Sequence, residues 1–111
     1  MNYHTYKSCI DACLSCAALC NHCASECTKE QNVKMMARCI QLDMKCAAIC
    51  YAAAQIMSLG SDRAADICRL CAEICEECGA ECSKHDDQHC KECAEACRMC
   101  AQECRKMSTA A

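Results

Sequence analysis

The chain lacks several residues that normally build or interrupt a small globular core. Its 111 residues include no proline, no phenylalanine and no tryptophan, and only two glycines. Without proline and with little glycine, few positions break a helix, and the abundant alanine, methionine, glutamate and lysine favour helix. Strands are not expected. Because the large aromatic side chains are missing and Val33 is the single valine, the chain is short of the volume that an ordinary apolar core requires.

Other absences exclude classes of function. The formal net charge is -3 and the pI is about 5.8, and no basic stripe with interleaved aromatics is present, which argues against nucleic acid as a partner. No stretch approaches a membrane span, and residues 1–7 lack the apolar run of a secretory signal. We therefore expect a cytoplasmic protein without a membrane partner. No carboxylate dyad, phosphate loop or single activated thiol indicates an enzyme.

What the chain has instead is cysteine, at 19 positions that follow the repeat of an α-helix. Within each of three segments, consecutive cysteines are separated by alternating steps of three and four residues, which keeps their side chains on one helix face. These segments contain Cys9, Cys13, Cys16, Cys20, Cys23 and Cys27; Cys68, Cys71, Cys75, Cys78 and Cys82; and Cys90, Cys93, Cys97, Cys100 and Cys104. A shorter group, Cys39, Cys46 and Cys50, lies between the first and the second.

Turn signals between these groups divide the chain into four helices. We predict one from about Thr5 to Thr28, one from Val33 to Leu59 with Asn32 as its cap, one from the cap Ser61 to about Lys84, and one from the cap Asp86 or Asp87 to about Met107. Gly60 suits the left-handed conformation after a helix end. Short turns make neighbouring helices antiparallel, so the fold class is all-α: a single up-down-up-down four-helix bundle with a cysteine-lined core over residues 1–111.

The second helix is the unusual one because apolar residues replace sulfur along its inner face. That face is predicted to consist of Met35, Cys39, Leu42, Cys46, Ile49, Ala53 and Ile56. A thinner apolar stripe also lies outside the thiol rows: Ile10, Leu14, Ala17, Met36, Ile40, Ile67 and Ile74. This stripe indicates either self-association between bundles or residues that only flank the core.

Nineteen buried thiols require an explanation beyond packing. One cysteine packs as a small hydrophobe, but a whole core of cysteines leaves the bundle short of apolar area. Disulfides suit a secreted miniature scaffold better than rows along helices, and an odd number leaves one thiol unpaired. In a reducing cytosol, thiols stay free unless something binds them. A metal ion is the natural candidate.

Charge favours Cu(I) among the metals that thiolates select. A zinc ion held by four thiolates carries a charge of about -2, which is costly inside a bundle. Iron–sulfur motifs wrap a cluster with loop backbone, whereas Cys68-x2-Cys71 and Cys90-x2-Cys93 keep a helix intact. Neighbouring Cu(I) ions that share thiolates approach about one copper per cysteine and leave the interior nearly neutral. The pattern therefore favours multiple Cu(I) ions per chain.

A short bundle with heptad-spaced Cys-x3-Cys and Cys-x2-Cys rows resembles the bacterial copper storage proteins, in particular their cytosolic, signal-less branch. The resemblance covers essentially the whole chain. It implies a homotetramer of four-helix bundles, each a preformed tube that fills with Cu(I) through one end and keeps free copper low. It also implies that all nineteen cysteines are metal ligands, and that copper is exchanged with a donor and an acceptor of unknown identity.

The helix directions assign different roles to the two ends of the bundle. The end with the termini and the Gly60 turn carries a predicted apolar plug of Ala53, Ala54, Ile56, Met57, Leu59 and Ile67. The other end carries His85, His89, Met35 and Met36. Imidazole and thioether groups can ligate copper transiently, so we predict entry there; the alternative is that these residues are solvated or packed without a role. His4 and His22 fall off the thiol rows and are expected at the surface.

Three other functions stay open at this point. The chain could bind zinc or another soft metal for detoxification, it could be a thiol redox sensor, or it could be a copper chaperone that hands over one ion. A chaperone needs one or two exposed thiols on a loop, whereas this pattern buries entire rows. Storage of many Cu(I) ions is therefore the favoured interpretation.

Overall fold

The computed structural model describes residues 2–109 and contains four α-helices and one short 3-10 helix. The helices are α1 (Tyr3–Cys27), the 3-10 helix (Val33–Met36), α2 (Ala37–Ser58), α3 (Ala64–Cys82) and α4 (Gln88–Thr109). Within residues 2–109 no strand occurs. The predicted all-α class is confirmed.

The four α-helices form the walls of a bundle. α1 packs against α2 and α4, and α3 packs against α2 and α4. Consecutive helices are joined by short connections, of which the one between α1 and α2 contains the 3-10 helix. They run in opposite directions, as the up-down-up-down prediction requires. The bundle measures 46 × 19 × 17 Å along its principal axes. One end carries the termini and the α2–α3 turn, and the other carries the α1–α2 and α3–α4 turns; we call this second end the mouth.

The first helix begins earlier than predicted because Asn2 caps it. The Asn2 side-chain oxygen accepts a hydrogen bond from the Thr5 backbone N–H at 3.2 Å. This bond satisfies one of the amide groups that a helix start leaves without an intrahelical partner. α1 therefore begins at Tyr3 rather than at Thr5.

The start of the second helix differs from the prediction that Asn32 caps an α-helix beginning at Val33. The side chain of Asn32 makes no capping hydrogen bond, and its backbone carbonyl accepts the Met35 N–H at 2.9 Å. The resulting 3-10 turn is tighter than an α-helix, so it shifts which side chains point inward. Met36 is buried, whereas Met35, which we had placed on the inner face, is 70% exposed.

The predicted left-handed conformation of Gly60, after the end of the second helix, is confirmed. Gly60 has a φ of 69°, its N–H donates to the Met57 carbonyl at 3.0 Å, and the Ser61 N–H donates to the Ile56 carbonyl at 3.3 Å. This pair of bonds is the Schellman motif, which satisfies carbonyl groups at a helix end and requires a left-handed residue at the position of Gly60.

The third helix starts later than predicted, and Ser61 is not its cap: α3 begins at Ala64, and the cap position is Arg63, whose side chain makes no capping hydrogen bond. Ser61 Oγ accepts the Arg63 N–H at 3.0 Å, and the Ser61 carbonyl accepts the Ala64 N–H at 3.2 Å. Ser61 thus organises the turn that precedes α3. At the fourth helix, the Asp87 carbonyl accepts the N–H groups of Cys90 and Lys91, so the predicted start near Asp87 is confirmed.

The close approach of α3 and α4 depends on Gly79. A Cβ atom at this position would lie 3.3 Å from Cys97 Cβ, a tight contact between the two helices. The absence of a side chain lets the two helices approach closely at this level.

The outer faces are mostly polar, and the predicted outer stripe is largely a flank of the core. Ile10, Ala17 and Met36 are buried, while Leu14 is 45% exposed. The isoleucines at positions 40, 67 and 74 are partly buried against the core. None of the helices between residues 2 and 109 combines the length and the apolarity that crossing a bilayer demands.

Replacing Gly60 by alanine should destabilise the metal-free, reduced protein. A Cβ atom is strained at a φ of 69°, so we expect the free energy of unfolding to fall by about 1 kcal/mol. Urea denaturation followed by circular dichroism measures it. The control Gly60→Asn should lose less, because asparagine adopts this conformation more readily. An alanine variant as stable as the wild type would show that the turn is not under this constraint.

Candidate metal centre

All nineteen cysteines point into the bundle and form one column of thiols along its axis. Their side chains are at most 1% exposed, and every one is a free thiol. We call this set the thiol column. The inward direction follows from the three-four stepping, which turns each row toward the axis of a bundle. The predicted cysteine-lined core is confirmed.

Neighbouring sulfur atoms in the column are close but not bonded. The closest pair, Cys39 Sγ and Cys82 Sγ, is separated by 3.4 Å, whereas a disulfide requires about 2.0 Å. Contacts link different helices as well as successive turns of one helix: Cys46 Sγ lies 3.5 Å from Cys75 Sγ. The column is thus a continuous network of sulfur atoms.

Groups of four thiols lie close enough together to hold metal ions. In each group, the four Sγ atoms all lie within 4.8 Å of one another. Five such groups are Cys13, Cys71, Cys100 and Cys104; Cys16, Cys46, Cys50 and Cys75; Cys16, Cys20, Cys46 and Cys97; Cys20, Cys78, Cys93 and Cys97; and Cys23, Cys27, Cys39 and Cys90. The three middle groups share members, so a thiolate of one group also belongs to the next. This arrangement suits ions that share bridging sulfur ligands.

Burial favours the protonated form of the thiols at the mouth in the absence of metal. Burial raises the pKa of the Cys90 thiol to about 12 and also raises that of Cys27. Since the thiolate is the species that binds metal, each bound ion must displace protons. The donor set consists of soft, buried sulfur atoms, which fits soft monovalent ions.

One residue of this centre is not among those predicted from the sequence. Asp43 on α2 is completely buried. Its Oδ1 atom accepts hydrogen bonds from Cys93 at 3.2 Å, Cys78 at 3.3 Å and Cys82 at 3.5 Å. Burial, with a smaller contribution from neighbouring thiols such as Cys93, raises the pKa of Asp43 to about 10. A neutral carboxyl group therefore interrupts the thiol column.

A signal for Asp43 is present in the sequence. The predicted inner face of the second helix includes the apolar residues Leu42, Ile49 and Ile56, but Ile49 and Ile56 are only half-buried. The three-four stepping of the other rows, continued through the cysteines of α2, passes instead through Met36, Cys39, Asp43, Cys46, Cys50, Ala53 and Met57, all of which are buried. Asp43 thus occupies a position where the other helices carry cysteine.

Of the candidate residues at the mouth, His89 reaches the thiols. Its Nδ1 atom lies 3.5 Å from Cys23 Sγ and from Cys90 Sγ, and 3.9 Å from Cys27 Sγ. Its Nε2 atom lies 3.0 Å from Glu30 Oε1. His89 therefore adds an imidazole nitrogen to the outermost group of thiols.

The other candidates at the mouth take different positions. His85 Nε2 contacts Glu81 Oε2 at 3.1 Å, and Glu81 also pairs with Arg38 and Lys84. This cluster surrounds a nearly buried carboxylate on α3. Met36 is buried and Met35 is exposed, while His4 and His22 are exposed as expected.

The opposite end of the bundle is closed by apolar side chains. Ala53, Ala54 and Met57 are buried, as predicted for the plug. Leu59, which we had included, is 76% exposed because it lies at the α2 end beside the turn. Tyr6 and Ala64 are buried here as well; they continue the three-four stepping of α1 and α3 before the first cysteine of each row. Apolar burial thus separates this end of the column from solvent.

Comparison with known proteins agrees with this geometry. The sequence model of the copper storage protein family, described as "Csp: Copper storage protein", matches residues 2–109. The chain belongs to the copper storage protein family. That family is named for storage rather than for a reaction.

Solved structures of copper storage proteins are similar over nearly the whole chain. The Cu(I)-bound copper storage protein BsCsp3 is 47% identical, with a TM-score of 0.89 over 93% of this chain and 97% of its own. Metal-free copper storage protein 3 from Bacillus subtilis is 48% identical, with a TM-score of 0.89 over 93% and 98%. A cytosolic copper storage protein from Streptomyces lividans with five coppers is 38% identical, with a TM-score of 0.93 over 97% and 95%.

The variant Asp43→Asn should change how the stability of the metal-free protein depends on pH. The folded-state pKa of Asp43, about 10, lies above its unfolded value, so folding retains a proton and this contribution to stability decreases as the pH rises from about 4 to 10. Asparagine removes that dependence. The stability of the variant relative to wild type should therefore grow between about pH 5 and 8, by at most about 1.4 kcal/mol per pH unit. Urea denaturation across this range measures it.

A matched control is Asp66→Asn. Asp66 is exposed, and its pairs with Arg69 and Arg63 lower its pKa, so its contribution is complete above about pH 5 and the difference from wild type should stay constant in the same range. If the Asp43 variant also ran parallel to wild type, Asp43 would be ionised in the folded protein.

Proposed function

We propose that this protein stores and sequesters multiple Cu(I) ions on the thiolates of its core and thereby buffers free copper. The observation that carries the proposal is the thiol column. Nineteen free, buried thiols line the bundle, and neighbouring four-sulfur groups along its middle share members. Packing alone does not explain a core of this composition, because cysteine contributes little volume and little apolar area.

Charge balance supports Cu(I) over zinc. Each Cu(I) that displaces one thiol proton leaves the interior with the same charge. Zinc bound by four thiolates would add a charge of about -2 at each site. Overlapping groups such as those that share Cys16 and Cys46 allow one thiolate to bridge two copper ions.

All nineteen cysteines are proposed as ligands, and residues 1–111 as one storage domain. The relatives support this assignment, because one solved structure is Cu(I)-bound and another contains five coppers. The uniform burial of the thiols argues against catalysis and against a redox sensor, since both depend on an individual accessible thiol with a lowered pKa. The role is therefore storage and not chemistry at one cysteine.

The chain is further proposed to act in the cytoplasm as a homotetramer. The Streptomyces lividans relative is described as cytosolic, and free thiols in these numbers require a reducing compartment. Self-association is supported by apolar side chains that the isolated bundle leaves in water, such as Leu14, Met44, Tyr51, Leu70 and Met99. Burial of such side chains between bundles would contribute favourably to assembly.

Anaerobic titration of the reduced protein with Cu(I) against a competing chelator tests the storage function. We expect tight binding of roughly ten or more Cu(I) per chain, because ions that share thiolates approach one per cysteine. A parallel titration with Zn(II) should give fewer ions, since zinc uses four thiolates at each site.

The same experiment separates the alternatives. Saturation at one or two Cu(I) per chain would indicate a chaperone. Tighter and more extensive binding of Zn(II) than of Cu(I) would indicate zinc binding or detoxification. Failure to bind either metal, together with fast reversible disulfide formation, would indicate a redox sensor.

A further inference from the structure

His89 at the mouth has a carboxylate on one ring nitrogen and thiols on the other. Glu30 Oε1 lies 3.0 Å from Nε2, while Cys23 Sγ and Cys90 Sγ each lie 3.5 Å from Nδ1. The contact joins distant parts of the chain, because Glu30 lies in the α1–α2 turn and His89 is the second residue of α4. The side chain of His89 is 11% exposed.

This geometry selects one tautomer of the ring. A carboxylate only accepts hydrogen bonds, so the nitrogen that faces Glu30 must carry the hydrogen. In a neutral imidazole the other nitrogen, Nδ1, then has a free lone pair. That lone pair points to the outermost sulfur atoms of the thiol column, where it can accept a hydrogen bond from a thiol or bind a metal ion.

The position of Glu30 is itself fixed by the fold. Its backbone N–H donates to the Cys27 carbonyl at 3.3 Å, and the preceding Lys29 N–H donates to the Glu26 carbonyl at 3.1 Å. The turn therefore continues the end of α1 and holds the carboxylate beside α4. The sulfur of Cys27 lies 3.9 Å from His89 Nδ1, so the residue that anchors Glu30 also belongs to the group of thiols that His89 completes.

We propose that Glu30 is a positioning residue for copper uptake: its carboxylate holds His89 with Nδ1 unprotonated and directed at Cys23, Cys27 and Cys90, so that the mouth presents one nitrogen and three sulfur donors. The proposal rests on the proposed copper function. Outer-sphere carboxylates commonly fix the tautomer and orientation of metal-binding histidines, and their loss typically reduces metal affinity or activity by 10- to 100-fold. Here the carboxylate would act on the first donor group that an incoming ion meets.

Glu26 and Glu81 provide the contrast that makes the proposal specific. Glu26 is an acidic residue at the same end of α1, but it pairs with Lys29 at 2.8 Å. Glu81 lies at the mouth as well and contacts His85, Arg38 and Lys84. If a negative charge at the mouth were sufficient to attract copper, removal of Glu26 would have the same effect as removal of Glu30.

The first test measures the tautomer in the reduced, metal-free protein. Long-range proton–nitrogen correlation spectra of the imidazole side chains, at about pH 8 where histidine is ordinarily neutral, should assign the hydrogen of His89 to Nε2 in the wild type and in Glu26→Ala. In Glu30→Ala the fraction of His89 in this tautomer should fall, and Glu30→Asp should restore it in part. Retention of the wild-type tautomer in Glu30→Ala would overturn the proposal, whatever the protein's affinity for copper.

The second test measures the rate of Cu(I) uptake from a chelated donor under anaerobic conditions. Glu30→Ala should slow uptake on the order of tenfold, Glu26→Ala should not, and Glu30→Ala should have no further effect in a His89→Ala background. An equal slowing in both backgrounds would show that Glu30 acts as a charge and not through His89. Unchanged far-ultraviolet circular dichroism establishes that each variant is folded. Complete absence of copper binding in the wild type would contradict the storage function but not the tautomer assignment.

Discussion

The contact between buried sulfur atoms is the interaction on which the rest of this structure depends. Thiols three and four residues apart form a row on each helix, and four rows meet in one column with sulfur–sulfur distances from 3.4 Å upward. A column of this kind provides too little apolar burial to be explained as a core alone, yet its hydrogens can be exchanged for monovalent ions without a change of charge. A stable bundle requires apolar burial in the core, whereas metal binding requires thiols there. The same core positions cannot fully meet both requirements.

The two ends of the bundle reflect these demands. At one end, Tyr6, Ala53, Met57 and Ala64 bury ordinary apolar surface and exclude water. At the mouth, carboxylates and histidines replace apolar side chains: Glu30 contacts His89, and Glu81 contacts His85. Apolar packing is therefore concentrated at the end opposite the mouth. Groups that can bind a metal ion or orient a metal-binding side chain are concentrated at the mouth, beside the outermost thiols.

Much of this architecture follows from the spacing of one residue type. The cysteine rows predicted the bundle and the inward thiols, because a three-four alternation is compatible with one helix face only. Asp43 was missed because hydrophobicity was followed instead of spacing on α2, and Met35 was misplaced because nothing local indicated the 3-10 turn. The contact between Glu30 and His89 could not be read from the sequence, since it joins a turn to a helix 59 residues away.

The central claim is that the core accepts ions by exchanging one proton for one monovalent copper, so that the loaded interior stays neutral. The most direct measurement is the electrophoretic mobility of the reduced, folded protein near neutral pH during stepwise anaerobic loading with Cu(I). From a formal net charge of -3, the account predicts that the fully loaded protein has the mobility of the metal-free protein, because sharing of thiolates brings the ratio to one copper per thiolate. A progressive increase in negative charge with each ion would contradict it, because thiolates would then outnumber the charges that the copper ions supply.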